Sequence, residues 1–359
     1  MSESLALFDA DLLPAVQAIA EPVAPRRTPA ASARTTVAPT LLAVDGNSLV
    51  HRAFHAYGGT TGGARYGFFA LLSVVCDQVP YDGLVIGFDC RAHSLRRSRY
   101  TDYKAQRPDK DEQLDASLDE LPDIAAAMGA CVVVAEGWEA DDVVASAAAV
   151  AEANQWHCVV ASPDRDVLGL ISPQTAVLQI RGGDQPIRRI TAKDFRRRYR
   201  IDPRQYVQMA ALRGDSSDNL PGITGIGAKK AAALLRTYAS VEDAVADPIG
   251  CRSVLGPELG QLLIDDLASE QSVFRRNIAL MTLHREVPLQ LELCRPRATP
   301  EQIIEVLRRW RMTGLHARMC RALGIRPDDP EVPVLGDDDA PPEYEDLPPE
   351  PTDESSPIP

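Results

Sequence analysis

Seven carboxylates stand just past the ends of four short apolar runs. TLLAV (40–44) is followed by Asp45, LVIGF (84–88) by Asp89, CVVVA (131–135) by Glu139, Asp141 and Asp142, and HCVVA (157–161) by Asp164 and Asp166. A single Asp after a strand usually caps the next helix. Seven at four successive ends exceed what capping needs. In a cleft of reduced dielectric they would repel one another unless cations sat among them. No His or Cys lies in these motifs, and all-oxygen donor sets suit Mg²⁺ or Mn²⁺ rather than zinc. Glu139 and Asp142 are three apart, which places both on one face at the start of a helix. The expectation is a divalent-metal site.

The elements that must position these acids are legible in outline. The four runs are short, rich in Val, Leu and Ile, and read as buried strands. Segments 64–79, 113–129 and 139–154 between them fit helices. Such alternation predicts an α/β core with a parallel sheet covered on both faces. The C-terminal ends of parallel strands share one edge, where open α/β folds place ligands. From about 191 the strands stop, and helical segments follow at 191–199, 203–213, 227–237 and onward to about 323. Residues 1–40 lack sustained periodicity and 328–359 are rich in Pro and acids; both read as disordered.

Charge sharpens the picture. The net charge is −13, but residues 328–359 carry twelve acids and no Lys or Arg, and 41–327 is neutral as a whole. A neutral core with clustered acids must cluster its bases as well. Residues 91–110 hold seven Lys or Arg, among them Arg96, Lys104 and Arg107, and 181–200 hold eight. These windows suit a polyanion track. The seven cysteines are scattered without metal spacing and read as reduced thiols of a cytoplasmic protein. No apolar run approaches a membrane span, and the acidic N-terminus lacks a basic signal region.

Residues 212–235, LRGDSSDNLPGITGIGAKKAAALL, have the glycine gap of a P-loop at Gly222 and Gly227. Ala228 then stands where Lys is required and no strand precedes, so nucleotide binding is excluded. A helix–hairpin–helix element fits better. Gly222, Gly225 and Gly227 would leave backbone N–H groups facing outward, with Lys229 and Lys230 adding charge at a helix N-terminus that holds a phosphate. Such an element grips a nucleic-acid backbone without reading bases. Asp215 and Asp218, just before it, would add two carboxylates to the metal edge.

The ordered motifs VDGNSLVHRAFHA, ARYGF, FDC, LRRSRYTDYKAQRP, WEADDVVA, SPDRD and GDSSDNLPGITGIGAKKAAALL resemble the 5′–3′ exonuclease domain of bacterial DNA polymerase I, within the flap endonuclease superfamily. The resemblance spans about 41 to 290; with no polymerase segment following, it suggests a stand-alone nuclease. It implies a PIN-like core (41–200) with a helical arch at about 90–130, then a helical region (201–327) with a helix–three-turn–helix DNA clamp at about 205–237. It implies two metal sites. Asp45, Asp89, Glu139 and Asp141 would serve the first; Asp142, Asp164, Asp166, Asp215 and Asp218 the second. Lys104 and Arg96 would contact the scissile phosphate, Tyr66 would stack on the terminal base, and Arg52 and Arg107 would touch the strand. A potassium ion would sit in the clamp near 215–225. Pro163 stands where the family usually has Gly, and His51 where Tyr is common. The implied reaction is DNA phosphodiester hydrolysis near a 5′ end or flap, in primer removal and repair, with RNA primers as further substrates and a polymerase or ligase as partner. Two readings compete with it: a DNA-binding module of the same fold that has lost cleavage, and a PIN-type ribonuclease.

Overall fold

The structure is a computed structural model and describes residues 38–58, 62–107, 110–180 and 187–325. The disorder expected for 1–40 falls outside these residues up to 37, while 38–40 lead into a strand at Thr40; the acidic tail and Arg181 fall outside as well.

Six strands form one sheet in the order β3-β2-β1-β4-β5-β6. They are β1 (Thr40–Asp45), β2 (Gly83–Phe88), β3 (Cys131–Val134), β4 (His157–Ser162), β5 (Thr175–Gln179) and β6 (Arg188–Ile190). All neighbours pair in parallel except β5 and β6. The first four are the strands the apolar runs predict. β5 and β6 extend the sheet beyond them.

Side-chain alternation along β1 divides two cores. Leu42 and Val44 face α1 (Gly46–Tyr57), α2 (Gly63–Cys76) and α4 (Glu112–Ala127), whose Leu49, Phe68 and Leu118 share their cluster. Leu41 and Ala43 face α5 (Ala140–Ala153), with Val143, Val144 and Ala147 fully buried. Both faces of β1 and β2 are therefore apolar, as a covered parallel sheet requires. A short α3 (Leu95–Arg99) precedes α4, and the Leu114, Leu118, Leu121 and Ile124 row of α4 is packed into the core. Of the segment expected to form an arch, only about 90–107 is therefore free of that core.

The second half is helical: α6 (Ala192–Tyr199), α7 (Tyr206–Arg213), α8 (Ala228–Thr237), α9 (Val241–Ala246), α10 (Pro248–Leu255), α11 (Pro257–Ala268), α12 (Val273–Met281) and α13 (Leu291–Cys294). A two-residue ladder, β7 (Gly214–Asp215) with β8 (Leu220–Pro221), joins α7 to α8. These helices extend the α5-side core. The chain then returns. α14 (Pro300–Arg309) and α15 (His316–Ala322) bury Ile303, Leu307, Leu315 and Met319 on the opposite face, beside α2 and α4. The helical region expected over 201–327 is thus divided between the two faces of the sheet.

Candidate active site

Asp45 ends β1 and caps α1. Its Oδ1 accepts from the Ser48 N–H at 2.9 Å, and its Oδ2 accepts from the Ser162 hydroxyl at 2.8 Å. The second bond spans β1 and β4, where the strand order reverses and open sheets leave a crevice. Asp45 is 2% exposed. Burial, with Asp89 adding repulsion, pushes its carboxyl up to about 6 against the Ser48 and Ser162 bonds. Asp89 follows β2. Its own N–H donates to Asn47 Oδ1 at 3.1 Å, and its Oδ1 accepts from the Ala140 N–H at 2.8 Å. Burial raises its pKa, and Glu139 adds to the rise.

Glu139, Asp141 and Asp142 stand at the N-terminus of α5, where exposed N–H groups favour negative charge. Glu139 Oε2 accepts from Lys104 Nζ at 2.9 Å and from the Tyr103 hydroxyl at 3.2 Å, and Oε1 from the Ser94 hydroxyl at 3.3 Å. Burial pulls its pKa upward, but Lys104 and Arg96 outweigh it and hold the carboxyl below its ordinary value. For Asp141, Lys104 offsets only part of its surroundings. Burial, then Asp45 and Asp164, drive its pKa well above the ordinary range. Its Oδ1 is buried and lacks a hydrogen-bond partner.

Past β4, the Asp164 N–H donates to Ser162 Oγ at 3.0 Å and the Asp166 N–H to Asp164 Oδ1 at 2.9 Å. The turn through Pro163 is closed by side chains, so the missing proline N–H costs it no bond here. Burial and the neighbouring Asp164, Asp215 and Asp218 push Asp166 up to about 8. Asp215 and Asp218 arrive from the β7–β8 hairpin. Asp215 Oδ1 accepts from the Ser217 N–H at 2.8 Å and hydroxyl at 2.6 Å. Asp218 Oδ1 accepts from Arg107 Nη2 at 2.7 Å, while burial still raises its pKa.

Eight carboxylates therefore lie within electrostatic reach of one another: Asp45, Asp89, Glu139, Asp141, Asp164, Asp166, Asp215 and Asp218. Asp141 feels both Asp45 and Asp164 and so links the two halves of the set. Among the described residues, no three His, Cys, Asp or Glu side chains already converge as ion ligands. Lys104 and Arg107 take up Glu139 and Asp218 among them. The donor set nevertheless fits hard divalent ions, because every donor is oxygen and Asp141 Oδ1 is a buried acceptor with nothing to accept.

Asp142 and Arg96 depart from the expectation. Asp142 is fully buried, and Arg96 grips it with two bonds of 2.6 Å. Its oxygens also accept from the Glu139 N–H at 3.2 Å and the His284 N–H at 2.9 Å. Arg96 is 7% exposed and also donates to the Leu280 carbonyl at 2.8 Å. The expected ligand and the expected phosphate contact are thus spent on each other, in a buried ion pair that ties α3 and α5 to the end of α12.

Lys104 and Arg107 instead face the acids. Lys104 has φ 56°, in the left-handed region, and its N–H donates to the Asp218 carbonyl at 3.0 Å. Asn219 Nδ2 bonds the Asp102 carbonyl at 2.8 Å, and Gln106 bonds the Ser216 carbonyl. Residues 102–107 are so pinned to loop 216–219. A cleft of about 560 Å³ opens beside them, lined by Asp89, Glu139, Arg91, Arg97, Lys104, Arg107 and Lys110.

Two of the three loop glycines have a backbone reason. A Cβ on Gly222 would lie 2.3 Å from the Arg213 backbone. Gly225 turns with φ +80°. Gly227 precedes α8 with open space around it, and Lys229 and Lys230 are exposed in the first turn. Lys230 Nζ reaches the Gly225 carbonyl at 3.2 Å. Arg52 and Tyr66 stand half-buried on α1 and α2, with Tyr66 packed on the core.

Four contributors escaped the sequence reading: Asn47, Ser94, Tyr103 and Ser162. Each lies inside or beside a motif already singled out, but its hydrogen bond to a site acid or its N–H shows only once the elements are assembled.

Comparisons with known proteins give the family and the fold. Residues 40–200 match the model described as 5′–3′ exonuclease, N-terminal resolvase-like domain, and residues 201–303 match 5′–3′ exonuclease, C-terminal SAM fold. DNA polymerase I of Mycobacterium tuberculosis strain H37Rv is 36% identical over 271 residues, covering 73% of this chain and 29% of that protein. The chain thus spans less than a third of the length of such relatives. Among solved structures, T5 5′-exonuclease with divalent metal ions (zinc) bound matches with TM-score 0.55 at 19% identity, over 79% of this chain and 99% of that one. Human GEN1 in complex with Holliday junction DNA matches with TM-score 0.55 at 14% identity, over 79% and 71%. At these identities the two structures speak for the fold.

Proposed function

The chain belongs to the 5′–3′ exonuclease family, and from that premise we propose that it is a 5′ nuclease hydrolysing DNA phosphodiesters near a 5′ end or at a 5′ flap junction. What supports the reading most is that eight carboxylates on the elements around the β1–β4 crevice act on one another electrostatically, and that the buried Asp141 Oδ1 among them lacks a hydrogen-bond partner. Divalent ions, Mg²⁺ or Mn²⁺, bound by these acids would polarise the phosphodiester and activate water for attack.

The chain's own groups would hold the substrate. Lys104 and Arg107, now on Glu139 and Asp218, are within a side-chain swing of a phosphate in the cleft and would offset its developing charge. Asp45 and Asp89 are held by Ser48, Ser162 and Ala140 and so keep their aim. At the Gly222–Lys230 loop, the α8 N-terminus and two lysines would take duplex phosphates. The β7–β8 hairpin carries candidate carbonyls for a potassium ion. Attack breaks the P–O3′ bond and gives a 5′-phosphate and a 3′-hydroxyl. Primer RNA, a polymerase or ligase partner and a cytoplasmic setting belong to the same proposal; among the described residues, no helix is long and apolar enough to cross a membrane.

The test is cleavage of a 5′-labelled flap duplex and a matched blunt duplex with Mg²⁺, Mn²⁺ or EDTA, beside Asp141→Asn. Metal-dependent cutting at the flap junction that Asp141→Asn abolishes is the expected result. DNA binding with no cutting in either metal would overturn it in favour of a binding module.

A further inference from the structure

Cys131 and Cys294 are 163 residues apart in sequence, yet their sulfurs stand 3.8 Å from each other. Cys131 begins β3, the edge strand of the sheet, and Cys294 ends the one-turn helix α13. Neither residue has a part in the nuclease chemistry. We propose that this pair is a reversible disulfide site, formed by oxidation with a peroxide.

The two thiols differ in the way such a reaction needs. Cys131 is partly exposed, whereas Cys294 is 1% exposed. The bond from Cys294, and then Arg297 nearby, hold the Cys131 thiol below its ordinary value against the effect of burial. Cys294 keeps its proton, raised by sharing with Cys131 and by burial. The thiolate is the nucleophile, and an accessible low-pKa thiol beside a resolving partner is the pattern of a reversible oxidation site. The other five cysteines lack a neighbouring sulfur among the described contacts, and Cys76, Cys158, Cys251 and Cys320 are buried.

The chemistry balances. Cys131 thiolate attacks one peroxide oxygen and expels hydroxide, which leaves as water with the thiol's proton. The resulting sulfenic acid is attacked by Cys294 sulfur, the S–O bond breaks, and a second water leaves with the remaining proton. Two thiols and one hydrogen peroxide give one disulfide and two waters.

The sulfurs must close from 3.8 Å to about 2.05 Å. Closure would shift α13, a single turn between two loops, whose Cys294 lies against Gly83 of β2. Its position also gives the bond a consequence. The segment before α13 straps α5 through the His284 N–H on Asp142 and the Val287 N–H on Ser146 Oγ at 2.9 Å. A Cys131–Cys294 bond would fasten the far end of that strap to the sheet and restrain the unfolded chain through a long loop.

The experiment treats the full-length protein with hydrogen peroxide, then counts free thiols and maps peptides by mass spectrometry without reduction. The expected result is loss of two thiols, a Cys131–Cys294 cross-linked peptide, recovery with dithiothreitol, and a raised Tm of the oxidised form. Cys294→Ser should instead leave a Cys131 sulfenic acid that dimedone traps, with no cross-link. Absence of the cross-linked peptide in the wild type, or an unchanged thiol loss in both Cys131→Ser and Cys294→Ser, would overturn the proposal. Neither readout depends on cleavage of DNA.

Discussion

Arg96→Met separates two roles that look alike in sequence. If Arg96 met the scissile phosphate, its loss would slow cleavage and leave the fold alone. In the structure its guanidinium is buried, bonded twice to Asp142 at 2.6 Å and once to the Leu280 carbonyl. Methionine fills much of the same volume but strands the fully buried Asp142 carboxylate with two backbone N–H donors. Removing one partner of a buried pair costs about 3–5 kcal/mol, and the orphaned Leu280 carbonyl adds on the order of 1 kcal/mol. A total of about 4–6 kcal/mol is roughly three to four decades in the folding constant. Urea unfolding followed by circular dichroism, with EDTA present, measures it. The double variant Arg96→Met/Asp142→Leu should recover most of the loss, because no buried charge remains. Cleavage by that double variant, assayed where it is folded, should persist. A stability change under about 1 kcal/mol in Arg96→Met, coupled to a large fall in cleavage, would refute the structural assignment and return Arg96 to the phosphate.

Other outcomes follow from the same geometry. Asp141→Asn should raise the Tm of the metal-free protein, since it removes a buried acid repelled by Asp45 and Asp164, while abolishing divalent binding measured by calorimetry; an unchanged or lowered Tm would count against the site. Asp45 at about 6 and Asp166 at about 8 lie above their unfolded values, so the folded metal-free protein holds protons that the unfolded chain releases. That stability is full below about pH 4 and is lost as pH rises through about 6 and then about 8, visible as a falling Tm in EDTA. At pH 7 binding of divalent ions should release protons, first from Asp141 and Asp166, measured from calorimetry in buffers of different ionisation enthalpy. Gly227→Ala should leave Tm unchanged, because its Cβ meets nothing within 4 Å, yet weaken duplex binding if phosphate approaches there. Gly222→Ala should lower both, since its Cβ meets the Arg213 backbone at 2.3 Å.

Much of the core was legible because strand ends announce themselves. Four apolar runs closed by acids gave β1 to β4 and the edge on which the acids meet. β6 was not legible, because RRI has two charged residues out of three and pairs antiparallel at the margin of the sheet. The error at Asp142 has a sharper cause. A spacing of three places Glu139 and Asp142 on one helix face but does not say which way that face turns. α5 is buried almost all round, from Val143 through Ala148, so apolar periodicity cannot fix its rotation. Arg96 was hidden for a related reason: within a window of seven bases, only contacts 46, 184 and 186 residues away distinguish it.

The same comparison explains why Lys104 and Arg107 sit where they do. A cluster of eight acids needs positive charge to fold, and the fold takes it from residues 102–107, pinned to loop 216–219. At Asp141 and Asp166 burial and neighbouring acids outweigh Lys104 and Arg213 respectively, and their pKa values rise accordingly. Cations arriving at the acids would release Lys104 from Glu139 and Arg107 from Asp218, freeing both bases toward the cleft just as a phosphate must be met there. Folding and substrate capture would then draw on the same two side chains, so a basic residue that binds DNA here also has to be one that can let go of a carboxylate. Arg96, buried with Asp142 and a backbone carbonyl, cannot do so.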